Sequence, residues 1–133
     1  MEIGGQQMRV KVGNFIFVLE SEENIYRMII CTSDGVYIIS INMSETSVKL
    51  FMGLLNNIAI DMESGFVNIP LASSKYKYTV YVNRDKYRPN VAYIRFYKTD
   101  IMTSHDEHIL TISTDIESRE IENLYRHLSN LIE

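Results

Sequence analysis

Hydrophobic and polar residues alternate along most of this chain, and the alternation gives way twice to helical spacing. Met8 to Val12 and Phe15 to Leu19 flank Gly13-Asn14. A Gly-first two-residue loop suits a tight II′-type hairpin, because glycine supplies the positive φ. Ile25 to Thr32 and Val36 to Ile41 flank a second turn signal, Ser33-Asp34-Gly35. Then Val48, Phe51, Met52, Leu55 and Ile58 recur at helical spacing. This predicts a helix over about 45–60, with cap candidates between Ser44 and Ser47. The order repeats with strands at Phe66–Leu71, Lys75–Asn83, Val91–Lys98 and His108–Ser113. Thr114-Asp115-Ile116-Glu117 then matches a capping box, and Ile121, Leu124, Leu128 and Leu131 form one apolar stripe. A second helix is expected over about 116–131.

The expected fold class is therefore α+β: antiparallel sheet from two ββββα repeats, with two amphipathic helices packed on one side. Residues 1–133 are read as one domain, with pseudo-repeats at about 6–60 and 66–133. The change of half falls near residues 61–65. Both strand-to-helix junctions, Tyr37-Ile38-Ile39-Ser40-Ile41 and His108-Ile109-Leu110-Thr111-Ile112, share one pattern.

Composition supports a folded chain, with 46% hydrophobic and 23% charged residues. The one cysteine, Cys31, has no internal partner, and its apolar neighbours predict a small buried hydrophobe in a reducing compartment. No run of 18 apolar residues exists, so no membrane span is expected. Met1-Glu2-Ile3-Gly4-Gly5 lacks both a signal-peptide pattern and a myristoylation glycine, so the expected location is cytoplasmic.

Net charge is −4, but it is unevenly spread. Residues 75–98 hold seven basic residues against one acid, a net of +6, while the remainder holds six against sixteen, a net of −10. Within that segment Lys75, Lys77, Thr79, Tyr81 and Asn83 share one strand face, and Tyr93, Arg95 and Tyr97 share another. Pairing Val82 with Ala92, Val80 with Ile94 and Tyr78 with Phe96 gathers the apolar residues on one side. A one-residue slip would invert one strand. The opposite side then sets Tyr81 beside Tyr93, Thr79 beside Arg95 and Lys77 beside Tyr97. The connecting loop adds Arg84, Lys86, Tyr87 and Arg88. Rings interleaved with cations suit single-stranded nucleic acid, because bases stack on rings and cations neutralise phosphates. The same pattern also serves a protein contact or a solvated sheet face, since Tyr and Thr are good strand formers and exposed Lys protects edges.

Other chemistry is sparse. His105-Asp106-Glu107-His108 precedes a strand, where neighbouring side chains diverge, so no metal site is expected. Glu20, Glu22 and Glu23 read as a solvated acidic turn, and His127 as a boundary residue of the last helix. No nucleophile elbow, phosphate loop, CxxC or HExxH occurs, so neither catalysis nor a cofactor is expected.

Four strands and a helix, twice over, resemble the arrangement of the Pur-domain and Whirly families. The resemblance rests on Val36-Tyr37-Ile38-Ile39-Ser40-Ile41 leading into Val48-Lys49-Leu50-Phe51, and on His108-Ile109-Leu110-Thr111-Ile112 leading into Ile121-Glu122-Asn123-Leu124-Tyr125. It covers most of the chain as topology. It implies an intertwined sheet platform that binds single-stranded DNA or RNA, often as an oligomer. This chain departs in its net acidity, and its first half lacks a basic aromatic strand pair. The leading expectation is a non-enzymatic single-strand-binding module using Lys75, Lys77, Tyr81, Arg84, Lys86, Arg88, Tyr93, Arg95 and Tyr97. The alternative is a small protein-interaction factor of viral or mobile-element type, an inhibitor of a host protein, using the same hairpin or its acidic surface. A homodimer seam on the strands is the third class.

Overall fold

The computed structural model describes residues 6–60, 64–71 and 75–133. The N-terminal residues 1–5 and the junction residues 61–63 noted above lie outside this range, as do 72–74. Four strands open the chain: β1 (Gln6–Val12), β2 (Phe15–Glu22), β3 (Ile25–Thr32) and β4 (Tyr37–Met43). Helix α1 (Glu45–Ile60) follows. Then come β5 (Gly65–Pro70), β6 (Tyr76–Arg84), β7 (Val91–Asp100), β8 (Asp106–Asp115) and α2 (Glu120–Leu131). Each set of four strands forms an antiparallel sheet in chain order. The expected α+β class and double ββββα order are the observed ones.

Local chemistry explains the turns. Gly13 takes φ +61° between β1 and β2, as a Gly-first loop requires. β2 runs on to Glu22, so Glu20 and Glu22 are strand residues. The turn is Glu23-Asn24, both at positive φ, and the acidic turn read from sequence shrinks to these two residues. Ser44 caps α1, its Oγ accepting the Ser47 N–H at 3.2 Å. At the second helix the Thr114 capping box does not form. β8 continues through Asp115, whose carboxylate accepts the Glu117 N–H at 2.8 Å and opens a 3₁₀ turn, Ile116–Ser118. α2 starts only after Arg119, which sits in the left-handed region.

Packing is exchanged between the halves. α1 leaves the first sheet and lies mainly against β5 and β6, whereas α2 leaves the second sheet and lies mainly against β1 and β2. The two helices also touch each other. One continuous apolar core results, and Phe17 of β2 meets Phe96 of β7 with ring centroids 6.4 Å apart. Val12, Met28, Ile41, Phe51, Leu55, Val80, Ile94 and Leu128 in this core are fully buried. Cys31 is half-buried rather than buried, because it lies on the outer side of β3 beyond a bulge after Ile30.

The halves are also joined by a polar clamp. Glu120 at the start of α2 accepts the Gly13 N–H at 2.7 Å, the Thr114 hydroxyl at 2.5 Å and the Lys11 ammonium at 3.0 Å. Burial raises its carboxyl pKa, but these three donors outweigh that and hold it below the ordinary value. Gly13 itself packs so closely on β8 that a Cβ would lie 2.5 Å from the Ser113 carbonyl oxygen.

Candidate nucleic-acid interface

β6 and β7 form the centre of the second sheet. Their period-2 alternation sends Val80, Val82, Ala92, Ile94 and Phe96 into the core and leaves the opposite face open. That division is as read from the sequence. The pairing differs by two residues: Val80 faces Phe96, Val82 faces Ile94 and Arg84 faces Ala92. A two-residue offset preserves which face each side chain occupies but changes its neighbours. On the open face Tyr81 therefore stands beside Arg95, Asn83 beside Tyr93, and Thr79 beside Tyr97.

Four rings cross this face from one edge of the sheet to the other. Phe66 of β5 lies 5.6 Å from Tyr81 of β6, Tyr81 lies 5.4 Å from Tyr97 of β7, and Tyr97 lies 5.4 Å from His108 of β8, centroid to centroid. The Tyr81–Tyr97 and Tyr97–His108 contacts are edge-on, with planes at 86° and 69°, and the Phe66–Tyr81 planes are tilted by 39°. This mutual packing leaves Tyr81 and Tyr97 half-buried, while Phe66 is 57% exposed. Beside the rings runs a polar chain: Asn68, Thr79, Thr99 and Asp106 are linked by contacts of 3.2, 2.9 and 2.6 Å. On the same face lies a shallow hollow of about 640 Å³, bordered by Ser64–Phe66, Tyr81, Asn83, Arg95, Tyr97 and Asp106.

Arg95 is held from two sides. Its Nη1 donates to Asn83 Oδ1 at 2.7 Å, and its guanidinium lies 4.5 Å from the centroid of the Tyr93 ring. Tyr93 is thereby covered, and its hydroxyl donates to the Asp85 carboxylate. Asp85 also accepts the N–H groups of Tyr87 and Arg88 at 2.8 and 2.9 Å, which fixes the β6–β7 loop. The Tyr93 hydroxyl above all, and then these backbone donors, lower the Asp85 pKa to about 2. Arg88 reaches the same carboxylate at 3.5 Å and the Tyr93 oxygen at 3.2 Å.

The seven cations of residues 75–98 do not converge. Arg84 points to the helix-covered side, donating to the Ile58 carbonyl oxygen from Nε at 3.1 Å and Nη2 at 2.6 Å, and to the Pro89 carbonyl oxygen at 2.7 Å. Lys98 faces that side too, 4.4 Å from the Tyr76 ring, and Lys75 flanks the same ring at 5.6 Å. Lys77 and Arg95 stand on the open face, with Lys86 and Arg88 exposed on the adjoining loop. Tyr87 at the loop tip is 82% exposed.

Phe66 and His108 join the site without having been singled out for it. Phe66 lies on a strand whose pairing to β6 fixes its place beside Tyr81. His108 falls inside β8, which begins at Asp106, two residues earlier than read, and its Nε2 contacts Thr111 Oγ1 at 2.7 Å. The described residues hold no cluster of metal-ligating side chains. No helix among them is long and apolar enough to cross a membrane.

No protein-family model matches this sequence, and no curated protein matches it. Solved structures share its fold. A plant transcriptional regulator, PBF-2, superposes with a TM-score of 0.59 at 10% identity, over 98% of this chain and 82% of that one. The Trypanosoma brucei MRP1/MRP2 structure gives 0.57 at 10% identity, over 99% and 85%. A guide-RNA-binding protein complex bound to a guide RNA gives 0.56 at 11% identity, over 99% and 91%.

Proposed function

We propose that this protein is a non-enzymatic single-stranded nucleic-acid-binding module whose contact surface is the open face of the second sheet. One observation carries the reading: the ring row Phe66–Tyr81–Tyr97–His108, which spans all four strands on the side away from the core. Unstacked bases gain about 1–3 kcal/mol each on such rings, and only a single strand offers its base faces. Lys77, Lys86, Arg88 and Arg95 border the row and serve the phosphates. Tyr93 orients Arg95 and the loop rather than stacking a base, and Arg84 takes no part in the contact. One fold neighbour points the same way: it is described as a guide-RNA-binding protein complex bound to a guide RNA, and it superposes over 99% of this chain. At that identity the likeness carries fold, and the rings carry the chemistry.

The test is a fluorescence-anisotropy titration of an unstructured oligonucleotide at several ionic strengths. Micromolar or tighter binding that weakens with salt is expected. Absence of binding at low salt, together with a stoichiometric protein partner in a pull-down, would replace this reading with the protein-interaction one.

A further inference from the structure

We infer that the free edge of β4 pairs with the same edge of a second copy, joining two first sheets into one eight-stranded antiparallel sheet. This does not depend on what the second sheet binds. A sheet edge offers a row of unpaired N–H and C=O groups to any extended chain, and proteins blunt it with charge, proline, short strands or cover. Three of the four edges here are blunted. β5 is six residues long and ends in Pro70. β1 carries Arg9 and Lys11, and β8 carries Asp106, Glu107 and Asp115. Those two edges also close on each other where Gly13 packs against Ser113. β4 lacks these protections. Tyr37-Ile38-Ile39-Ser40-Ile41-Asn42-Met43 holds no charge and no proline. Tyr37 is 62% exposed, and Val36 before it 55%. A bulge at Ile38 disturbs the start of the strand and leaves Ile39–Met43 regular. After Ser44 the chain leaves for the second sheet as α1. Among the described residues nothing outside β3 hydrogen-bonds to the backbone of Ile38–Met43.

Charge selects the occupant. Arg27, on β3 beside this edge, donates to Asn42 Oδ1 at 3.2 Å and is paired with Glu20 at 3.3 Å. A charged foreign segment therefore finds no counter-charge along β4, whereas a second copy brings the same uncharged row. Antiparallel pairing about a two-fold axis near Ser40 and Ile41 is closed, and it sets no like charges opposite one another. Five regular residues span about 17 Å. Such a seam buries well under the roughly 800 Å² per partner of a stable complex, so the dimer is weak and half-formed on the order of 100 μM.

The experiment is sedimentation of the full chain from about 10 μM to 1 mM, a range that brackets a weak interface. The weight-average mass should rise toward twice the chain mass, and amide exchange at Ile39–Met43 should slow as concentration rises. Ser40 stands on the outer, partly exposed side of β4, so a charge there leaves the core intact. Ser40→Lys and Ser40→Glu should each weaken self-association roughly tenfold or more, because like charges then face each other across the seam. An equimolar mixture of the two variants should dimerise again, which a merely destabilised strand would not do. A wild-type chain that keeps the mass of one copy throughout would overturn the inference and leave the edge to another protein's extended segment. Self-association that both charged variants retain would also overturn it, and would move the seam elsewhere, for instance to the exposed Leu50 and Ile60 of α1.

Discussion

The guanidinium of Arg84 closes the last turn of α1 by donating twice to the carbonyl oxygen of Ile58. Helix C-termini leave such carbonyls without intrahelical donors, and their dipole favours a cation there. A residue from the most basic stretch of the chain is therefore a joint between β6 and the helix crossing over it. Arg84→Met should lower stability by about 1–3 kcal/mol in urea denaturation, because it strips donors from half-buried carbonyls. Oligonucleotide affinity of the folded variant should not change. A stable variant with weakened binding would contradict this placement.

Tyr81→Ala and Tyr97→Ala should each weaken single-strand binding by about 1–3 kcal/mol, with the salt slope retained. Lys77→Ala should instead weaken binding less and flatten the dependence of log K on log salt by about one phosphate's worth. Anisotropy at four or more salt concentrations separates the two behaviours. The opposite assignment of slope and affinity would show that the rings are mere packing.

Asp85 gives the β6–β7 loop a defined acid limit. Its folded pKa lies near 2, below the ordinary carboxylate value of 3.8. A depressed pKa means that the carboxylate's contribution is present above the ordinary value and is lost as pH falls toward 2. Amide resonances of Tyr87 and Arg88 should hold steady from neutral pH to about 4 and shift only below it. Asp85→Asn should broaden those resonances at neutral pH. A midpoint near 4 would mean the Tyr93 hydroxyl contact is absent in solution.

Gly13 and Glu120 tie the β1–β2 hairpin to the start of α2. Gly13→Ala adds a methyl 2.5 Å from the Ser113 carbonyl oxygen at a φ of +61°, so it should cost more than about 1 kcal/mol in chemical denaturation. Glu120→Gln should also destabilise. The wild-type advantage over it should be full above the ordinary carboxylate pKa and should shrink as pH falls through the depressed one. An advantage that grows on acidification would refute the clamp.

The strands and the face of each residue were legible because a period of two needs no tertiary information, as Val80, Val82, Ile94 and Phe96 show. Register was not legible. The alternation accepts any even offset, and the choice was made by the loop, where the Asp85 N–H reaches the Val91 carbonyl oxygen at 2.8 Å. The fate of Arg84 was hidden for a different reason: nothing local reveals that α1 ends beside β6. Thr114 and Glu117 matched a capping pattern, yet the longer β8 turned Thr114 inward to Glu120 and gave the cap to Asp115. Phe66 became a candidate only once β5 was paired with β6.

The exchange of helices between the halves bears on how the chain is made. When synthesis has passed residue 60, the sheet already formed has its own helix but lacks the one that covers β1 and β2, because α2 lies beyond all eight strands in the chain. Its apolar surface must wait, exposed, until residues 120–131 have been made. Two fragments cut in the 61–63 junction should therefore each be insoluble or unstructured alone and regain order only when mixed.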